Sequence, residues 1–318
     1  MLNPYDGITL YFAPLILLFP KNLIYIKKVL NVIILLSALF LVFSLYSLDQ
    51  LLAANSVHGQ DIIEEYARFL VLPIGFVLLL NKYQTSRTNI YSFFIILLTF
   101  LLAVIRARRG LIFISVNIIV FSFIFYFYAN KGNLIKRFLP LVMVPLLLLY
   151  AAKVYEENKA GAFSYVTERI TEDTRSQVLA FFYLDLNTND WIIGKGIAGE
   201  YYCPVFDESL SDYRNTIEMD YLQIILKGGI ISLGILLLIT IPAIIKGLFY
   251  SKNMLSKAAG LWILFWLVNM YPTTVTDFAL NYLMVWMCVG ICYSPEIREL
   301  PDKLVQEFFL ENQTRFLI

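Results

Sequence analysis

The chain has 318 residues, of which 59% are hydrophobic and 15% charged, and its mean hydropathy is +0.70, as in a polytopic membrane protein. A formal net charge of +1 gives no electrostatic case for a nucleic-acid partner. Three cysteines are too few for a disulfide framework, and one histidine, His58, argues against a zinc cluster.

Runs of about 17–25 apolar residues predict membrane helices. Such spans lie near residues 7–20, 29–48, 66–81, 90–105, 110–129, 135–152, 221–245, 258–272 and 277–294. The first is expected to be retained, because no small-residue cleavage site follows it. The sequence therefore predicts an all-α polytopic membrane protein with about nine to ten transmembrane helices, forming a single transmembrane domain over residues 1–318.

The charges of the loops predict the orientation. The loops after the first, third, fifth and seventh spans are basic, with Lys21, Lys27, Lys28, Lys82, Arg87, Lys131, Lys136, Arg137, Lys246, Lys252 and Lys257. Basic loops face the cytoplasm, so the alternate loops are predicted to lie outside. The longest of these, residues 153–217, has six basic and eleven acidic residues and is the predicted extracytoplasmic loop.

A cluster of three arginines breaks this charge pattern. Arg106, Arg108 and Arg109 lie between the fourth and fifth spans, on the predicted outer side. One interpretation is that a short, tight loop tolerates positive charge because the neighbouring spans set the topology. The other is that the cluster binds an anionic partner outside the membrane.

The long outer loop carries its own predicted features. Residues 164–186 are expected to be helical, with Thr171 or Thr174 as N-cap. Their apolar run 178–184 should lie on the membrane surface or pack against the bundle. The glycines of residues 194–199 fit either a phosphate-binding turn or a plain loop. Trp191, Tyr201 and Tyr202 are candidates for stacking on sugar rings.

The loop returns to the membrane through an acidic segment, residues 218–226, which either extends the seventh span or dips into an outer cavity. On a helix, Glu218, Tyr221 and Leu222 would share a face, and Asp220 would lie on another. Acids at this point have a simple alternative explanation, because a helix N-terminus favours negative charge.

In three places the chain resembles the bacterial O-antigen ligase and polymerase superfamily, membrane enzymes with a C-type glycosyltransferase-like fold. The first is Arg109-Gly110 at the outer start of a span, and the second is Arg175 opening an amphipathic segment that Trp191 and the glycine turn follow. The third is Tyr221-Leu222-Gln223 leading into Gly228-Gly229. A departure is Glu218-Met219, where ligases of this family usually have His-Asn, and this difference favours a polymerase.

The resemblance implies polymerisation of surface polysaccharide at the outer face of a bacterial inner membrane. Glycan would pass from undecaprenyl diphosphate to the terminal sugar of a lipid-linked repeat unit, with inversion and without a metal or cofactor. Arginines bind diphosphate in a bidentate fork. The expected diphosphate-binding residues are Arg106, Arg108, Arg109, Arg175 and Arg214, the catalytic base is Glu218, and the substrate-binding residues are Asp220, Tyr221, Trp191 and Tyr201.

Two other functions remain open at this point. A ligase would transfer the same glycan to another acceptor. A transporter or flippase of the lipid-linked glycan should instead line its pathway with charges at the membrane midplane, whereas the charges here cluster at the predicted outer face. Besides the lipid-linked oligosaccharide and membrane lipid, a chain-length regulator is a candidate partner.

Overall fold

The computed structural model describes residues 12–18, 21–47, 72–105, 108–129, 175–204, 212–271 and 279–314. The described chain is almost entirely helical. The α-helices are α1 (Leu23–Tyr46), α2 (Ile74–Leu79), α3 (Ser86–Ile105), α4 (Arg109–Ala129), α5 (Arg175–Asp185), α6 (Thr188–Ile193), α7 (Asp220–Phe249), α8 (Met254–Asn269), α9 (Leu280–Tyr293), α10 (Pro295–Arg298) and α11 (Asp302–Thr314). Short 3₁₀ helices cover Ala13–Leu18 and Asn81–Tyr83. Strands β1 (Tyr201–Tyr202) and β2 (Tyr213–Arg214) form one antiparallel pair.

Four of these helices are long and apolar enough to cross a membrane: Leu23–Tyr46, Ser86–Val104, Gly110–Phe127 and Asp220–Phe249. Met254–Asn269 and Leu280–Tyr293 are shorter apolar helices. The chain is thus an all-α membrane protein, while the number of nine to ten spans stays a prediction. Of the predicted spans, residues 135–152 lie outside the described part of the chain. Residues 7–11 and 19–20 of the first span, residues 66–71 of the third, and the end residues 48, 272, 277 and 278 of three others also lie outside it.

The chain divides into two compact units. One, here called the loop unit, contains the described parts of Met1–Pro20, Glu172–Ser251 and Ala259–Arg298. The other, the bundle unit, contains those of Lys21–Thr171, Lys252–Ala258 and Glu299–Ile318. All the predicted site residues of the long outer loop and of α7 belong to the loop unit.

In the bundle unit, α1 shows how an apolar helix divides its surface between protein and lipid. Its buried positions recur every three or four residues: Ile26, Leu30, Ile33, Ser37, Phe40 and Ser44. Its exposed positions follow the same period on another face: Val32, Leu35, Leu39, Val42 and Tyr46. With no water in the hydrocarbon region, exposed apolar side chains are favourable, and small polar residues suit the packed face.

Helix α1 begins earlier than the predicted span. The Asn22 side chain caps it by accepting a hydrogen bond from the Tyr25 N–H at 3.0 Å. Lys27 and Lys28, predicted in the preceding loop, therefore lie in the helix, and that prediction is wrong for both. A long lysine side chain can still reach a polar end: the Lys27 amine donates to the Phe309 carbonyl at 2.8 Å.

The C-terminal helix α11 gathers several polar loops at one end of the bundle unit. The Asp302 carboxylate pairs with the Lys82 amine and accepts hydrogen bonds from the Tyr83 hydroxyl and, at 2.8 Å, from the Met254 N–H. The Tyr83 ring stacks on Phe309 with centroids 5.7 Å apart. Lys27 of α1, Lys82 and the segment at Met254 thus all contact the C-terminal helix.

This cluster perturbs the acid strength of Asp302. Burial by itself would raise the pKa of the carboxyl, but the hydrogen bonds from Lys82, Tyr83 and Met254 and the charge of Lys82 outweigh burial and hold the pKa below its usual value. The pKa of this carboxyl in the unfolded state is near 4, and in the folded state it is lower. The ionised carboxylate therefore stabilises the folded state at pH values above the unfolded-state pKa, and this stabilisation disappears as the pH falls through the folded-state pKa.

We expect Asp302→Asn to lower the free energy of unfolding by about 1.5–3 kcal/mol, because charge-assisted hydrogen bonds are lost. The measurement is unfolding in detergent at neutral pH and at pH 3, where the difference from wild type should shrink. Glu307→Gln is the matched control on the same helix, since its pair with Lys303 is exposed and 4.0 Å long. Equal losses for the two variants would contradict a special role for Asp302.

Candidate functional site

The loop unit is built around the buried ring of Phe182 on α5. Tyr201 approaches this ring edge-on, with centroids 5.3 Å apart, and Trp191 does the same at 6.1 Å. The surrounding buried residues are Leu186, Cys203, Ile217, Leu222, Ile225 and Leu226. Part of the predicted apolar run 178–184 therefore packs against protein, and the cluster fixes the long loop before α7 to the first turns of this helix.

A break in α7 lies at the centre of this packing. Gly229 has φ +66° and ψ −175°, so residues 220–228 and 230–249 are two helical segments. The carbonyls of Leu226 and Lys227 would normally accept from the N–H groups of residues 230 and 231. Instead they accept from Lys195 N–H at 2.7 Å and Gly196 N–H at 3.1 Å. The glycine turn of the long loop thus supplies hydrogen-bond donors to two carbonyls at the break.

Only glycine fits on either side of this contact. A Cβ on Gly229 would lie 2.0 Å from the Ile192 carbonyl oxygen, and one on Gly194 would lie 2.5 Å from the Gly228 nitrogen. Both residues also have positive φ, which disfavours any side chain. We call this backbone contact, between residues 192–196 and 226–229, the glycine junction.

The glycine junction favours a packing role for the predicted turn over a phosphate-binding role. Four N–H groups of the turn have carbonyl partners: Gly194 donates to Asp190, Lys195 to Leu226, Gly196 to Lys227, and Gly199 to Gly196. Side chains add to this packing: the Lys195 amine pairs with Asp185, and the Lys227 amine donates to the Gly199 carbonyl at 2.8 Å. These four amides already have partners and are not available to a phosphate, so the turn packs against α7.

The segment that leads into α7 is held by Gln223. The Gln223 side-chain oxygen accepts from the Ile217 N–H at 2.9 Å, and its amide donates to the Asn215 carbonyl at 3.2 Å. This side chain thereby fixes the backbone immediately before Glu218. Gln223 was not among the predicted site residues; the sequence signal for its role is a polar side chain at the start of an apolar span.

Glu218 is exposed and lies before the helix, which begins at Asp220 after an extended Met219. The expectation that Glu218 shares a helical face with Tyr221 and Leu222 does not apply, because the chain is not helical at this residue. The alternative explanation by the helix dipole fits Asp220 better, since Asp220 is the acid in the first turn.

Three of the predicted site residues influence one another electrostatically. Burial raises the pKa of the Tyr201 phenol to about 12; Cys203 and Glu218 add to this rise, and Arg214 opposes it. Arg214 on β2 faces Tyr201 on β1 in the strand register. The half-buried Arg214 and the exposed Glu218 carboxylate therefore lie near the Tyr201 phenol. This phenol stays protonated and donates to the Thr216 carbonyl at 3.2 Å.

The predicted sugar-contacting side chains have different surroundings. Asp220 is 0% exposed, and its N–H donates to the Met270 carbonyl at 3.0 Å. The Tyr221 hydroxyl donates to the Leu267 carbonyl at 2.6 Å. Tyr201 is 0% exposed, so its ring has no free face in this arrangement. One face of Trp191 is covered by Tyr183, stacked at 5.7 Å. Among these four, Trp191 and Tyr221 keep part of their surface accessible.

The remaining predicted residues are the arginines near the described starts of α4 and α5. Arg109 is the first residue of α4, and Arg108 precedes it, with its carbonyl accepting from the Ile112 N–H at 3.0 Å. Arg175 is the first described residue of α5. A helix start was expected for Arg109, and such a position favours anions. Arg106 lies outside the described residues, as do Thr171 and Thr174. Comparison with known proteins returned no matching family model, curated protein or solved structure.

Proposed function

We propose that the chain is a membrane glycosyltransferase that polymerises lipid-linked oligosaccharide repeat units at the outer face of a bacterial plasma membrane. The observation that carries this proposal is the grouping of Arg214, Tyr201 and Glu218 where the outer loop enters the membrane helix α7. A cation and an exposed carboxylate at the end of a span suit a substrate with a lipid-linked anion and a sugar hydroxyl.

The proposed reaction requires two functions from the protein. Arg214 would bind the diphosphate of the donor, because a guanidinium keeps its charge and offers two parallel hydrogen bonds. Arg175, in the same unit as Arg214, is a further proposed phosphate ligand. Arg106, Arg108 and Arg109 belong to the bundle unit and stay phosphate ligands predicted from the sequence. Glu218 would accept the proton of the acceptor hydroxyl, since an exposed carboxylate can approach a bound sugar.

The bond changes then balance without a metal or a redox cofactor. The acceptor oxygen bonds to the anomeric carbon of the donor while the bond from that carbon to the phosphate oxygen breaks. The proton of the hydroxyl passes to Glu218, and the undecaprenyl diphosphate leaves with its electron pair. Attack opposite the leaving group inverts the anomeric configuration. Positioning of the two substrates is the main contribution expected of the protein.

The test uses the purified full chain in lipid nanodiscs with an undecaprenyl-diphosphate-linked oligosaccharide labelled in its sugar. A ladder of longer products, with one undecaprenyl diphosphate released for each bond formed and no loss of rate in EDTA, is the expected result. Product only after addition of a different glycan acceptor would indicate a ligase. Movement of intact substrate across liposomes, with no new glycosidic bond, would overturn the proposal in favour of a transporter.

A further inference from the structure

The loop unit exposes apolar side chains around the end of α5 and the end of α6. They are Tyr183, Leu184, Ile192, Ile193 and Ile197, and we call them the apolar patch. Leu184 is 82% exposed and Ile193 63%. Scattered single apolar residues are normal on a protein surface, but a grouped set usually marks a surface that another apolar phase covers.

The apolar patch adjoins the membrane-facing surface of α7. At the glycine junction the backbone of residues 192–194 contacts residues 228–229, and the next residues of α7, Ile230 and Ile231, are exposed. From there a stripe with helical spacing continues along α7: Ile231, Ile235, Leu238, Ile241, Ile245 and Phe249, all exposed. Since α7 is long and apolar enough to span a membrane, this stripe is the surface that lipid covers.

The short helix α6 has the polarity of a helix at a membrane interface. Its first turn is polar and capped, with Asn187 accepting from the Asp190 N–H at 3.0 Å. Its last residues, Ile192 and Ile193, are apolar and exposed. The stacked rings of Tyr183 and Trp191 are of the type found at headgroup level. The nearby Lys195 is paired with Asp185, which lowers the cost of a less polar environment.

We propose that the apolar patch is inserted into the outer leaflet beside α7, so that lipid covers it. The outer loop is then a monotopic membrane anchor. The occupant is the bilayer because the patch continues the lipid-facing stripe of the same unit. The polar turn at Asn187 then lies toward the headgroups, and Ile193 lies deeper, toward the acyl chains. This inference is independent of the proposed glycosyl transfer.

The test places a nitroxide spin label on single introduced cysteines in nanodiscs of mixed zwitterionic and anionic phospholipid. The native Cys203, Cys288 and Cys292 are buried, which keeps background labelling low. Ile193→Cys and Leu184→Cys probe the patch, Asn189→Cys probes the polar side of α6, and Ile235→Cys is the reference for lipid. Collisions with oxygen, which concentrates in lipid, are compared with collisions with a water-soluble nickel chelate.

We expect the oxygen-to-nickel collision ratio at both patch positions to approach that at Ile235 and to exceed that at Asn189 several-fold. A ratio at Ile193 and Leu184 equal to that at Asn189 would show that the patch faces water and would overturn the proposal. Shielding of both patch positions from both reagents would also overturn it, because the cover would then be protein, such as a second copy of the chain.

Discussion

Replacing Gly229 by alanine should separate the long loop before α7 from this helix and remove most of the stability of the loop unit. The backbone conformation of Gly229, φ +66° and ψ −175°, is essentially restricted to glycine and costs about 1–3 kcal/mol for a residue with a Cβ. In addition, a Cβ 2.0 Å from the Ile192 oxygen cannot be accommodated without moving α6. Two backbone hydrogen bonds to the broken helix are then lost, each at about 1–3 kcal/mol.

Two other glycines provide matched controls for this substitution. A Cβ on Gly196 would meet nothing within 4 Å, but its φ is +82°, so Gly196→Ala measures the backbone strain alone. Gly234→Ala, also in open space and in a helical part of α7, should be neutral or stabilising by up to about 1 kcal/mol. The expected order of stability is therefore Gly234→Ala above Gly196→Ala, with Gly229→Ala far below.

The measurements are the unfolding temperature in detergent and the rate of tryptic cleavage after Lys195. This residue is held by the Leu226 carbonyl and by Asp185, so release of the loop should expose it to the protease. Gly229→Ala should be cleaved much faster than the other two variants. If it unfolds and is cleaved like wild type, the direct backbone contact at the glycine junction does not exist.

Long apolar runs explain why much of the helical fold can be predicted from sequence. Helices α3 and α4 lie within a few residues of their predicted spans, because about 20 apolar residues fold as a membrane helix whatever their partners. The start of α1 was missed because a capping Asn22 and long lysine side chains allow two charged residues inside the helix. Local hydropathy does not show that a long lysine side chain inside a helix can reach a polar end of it.

The glycine junction could not be predicted for a different reason. The sequence shows glycines at 194–199 and at 228–229, and each group by itself fits a turn, a kink or a phosphate-binding loop. Their role depends on hydrogen bonds between two backbone segments more than 30 residues apart in the chain. A single sequence contains no signal for such a contact. The same holds for Gln223, whose amide is useful only because residues 215 and 217 lie beside it.

Glu218→Gln should lower the turnover of the proposed glycosyl transfer by about 10²–10⁴-fold while leaving the KM for lipid-linked oligosaccharide nearly unchanged. Glutamine keeps the size and polarity of the side chain but cannot accept the proton of the acceptor hydroxyl. Because Glu218 precedes α7, the substitution removes no helix cap and should change the unfolding temperature little. A change in turnover without a change in stability is what separates a base from a structural acid.

The matched control is Glu200→Gln, an exposed carboxylate in the same loop that has no proposed role in the transfer. Its turnover should remain at the wild-type level, which excludes a general effect of removing negative charge near the lipid-linked anion. Glu218→Asp should recover part of the turnover, since it keeps the base but withdraws it by one methylene. Wild-type turnover in Glu218→Gln, with only a small loss of stability, would assign Glu218 to the electrostatics of the helix N-terminus and would leave the proposed transfer without its base.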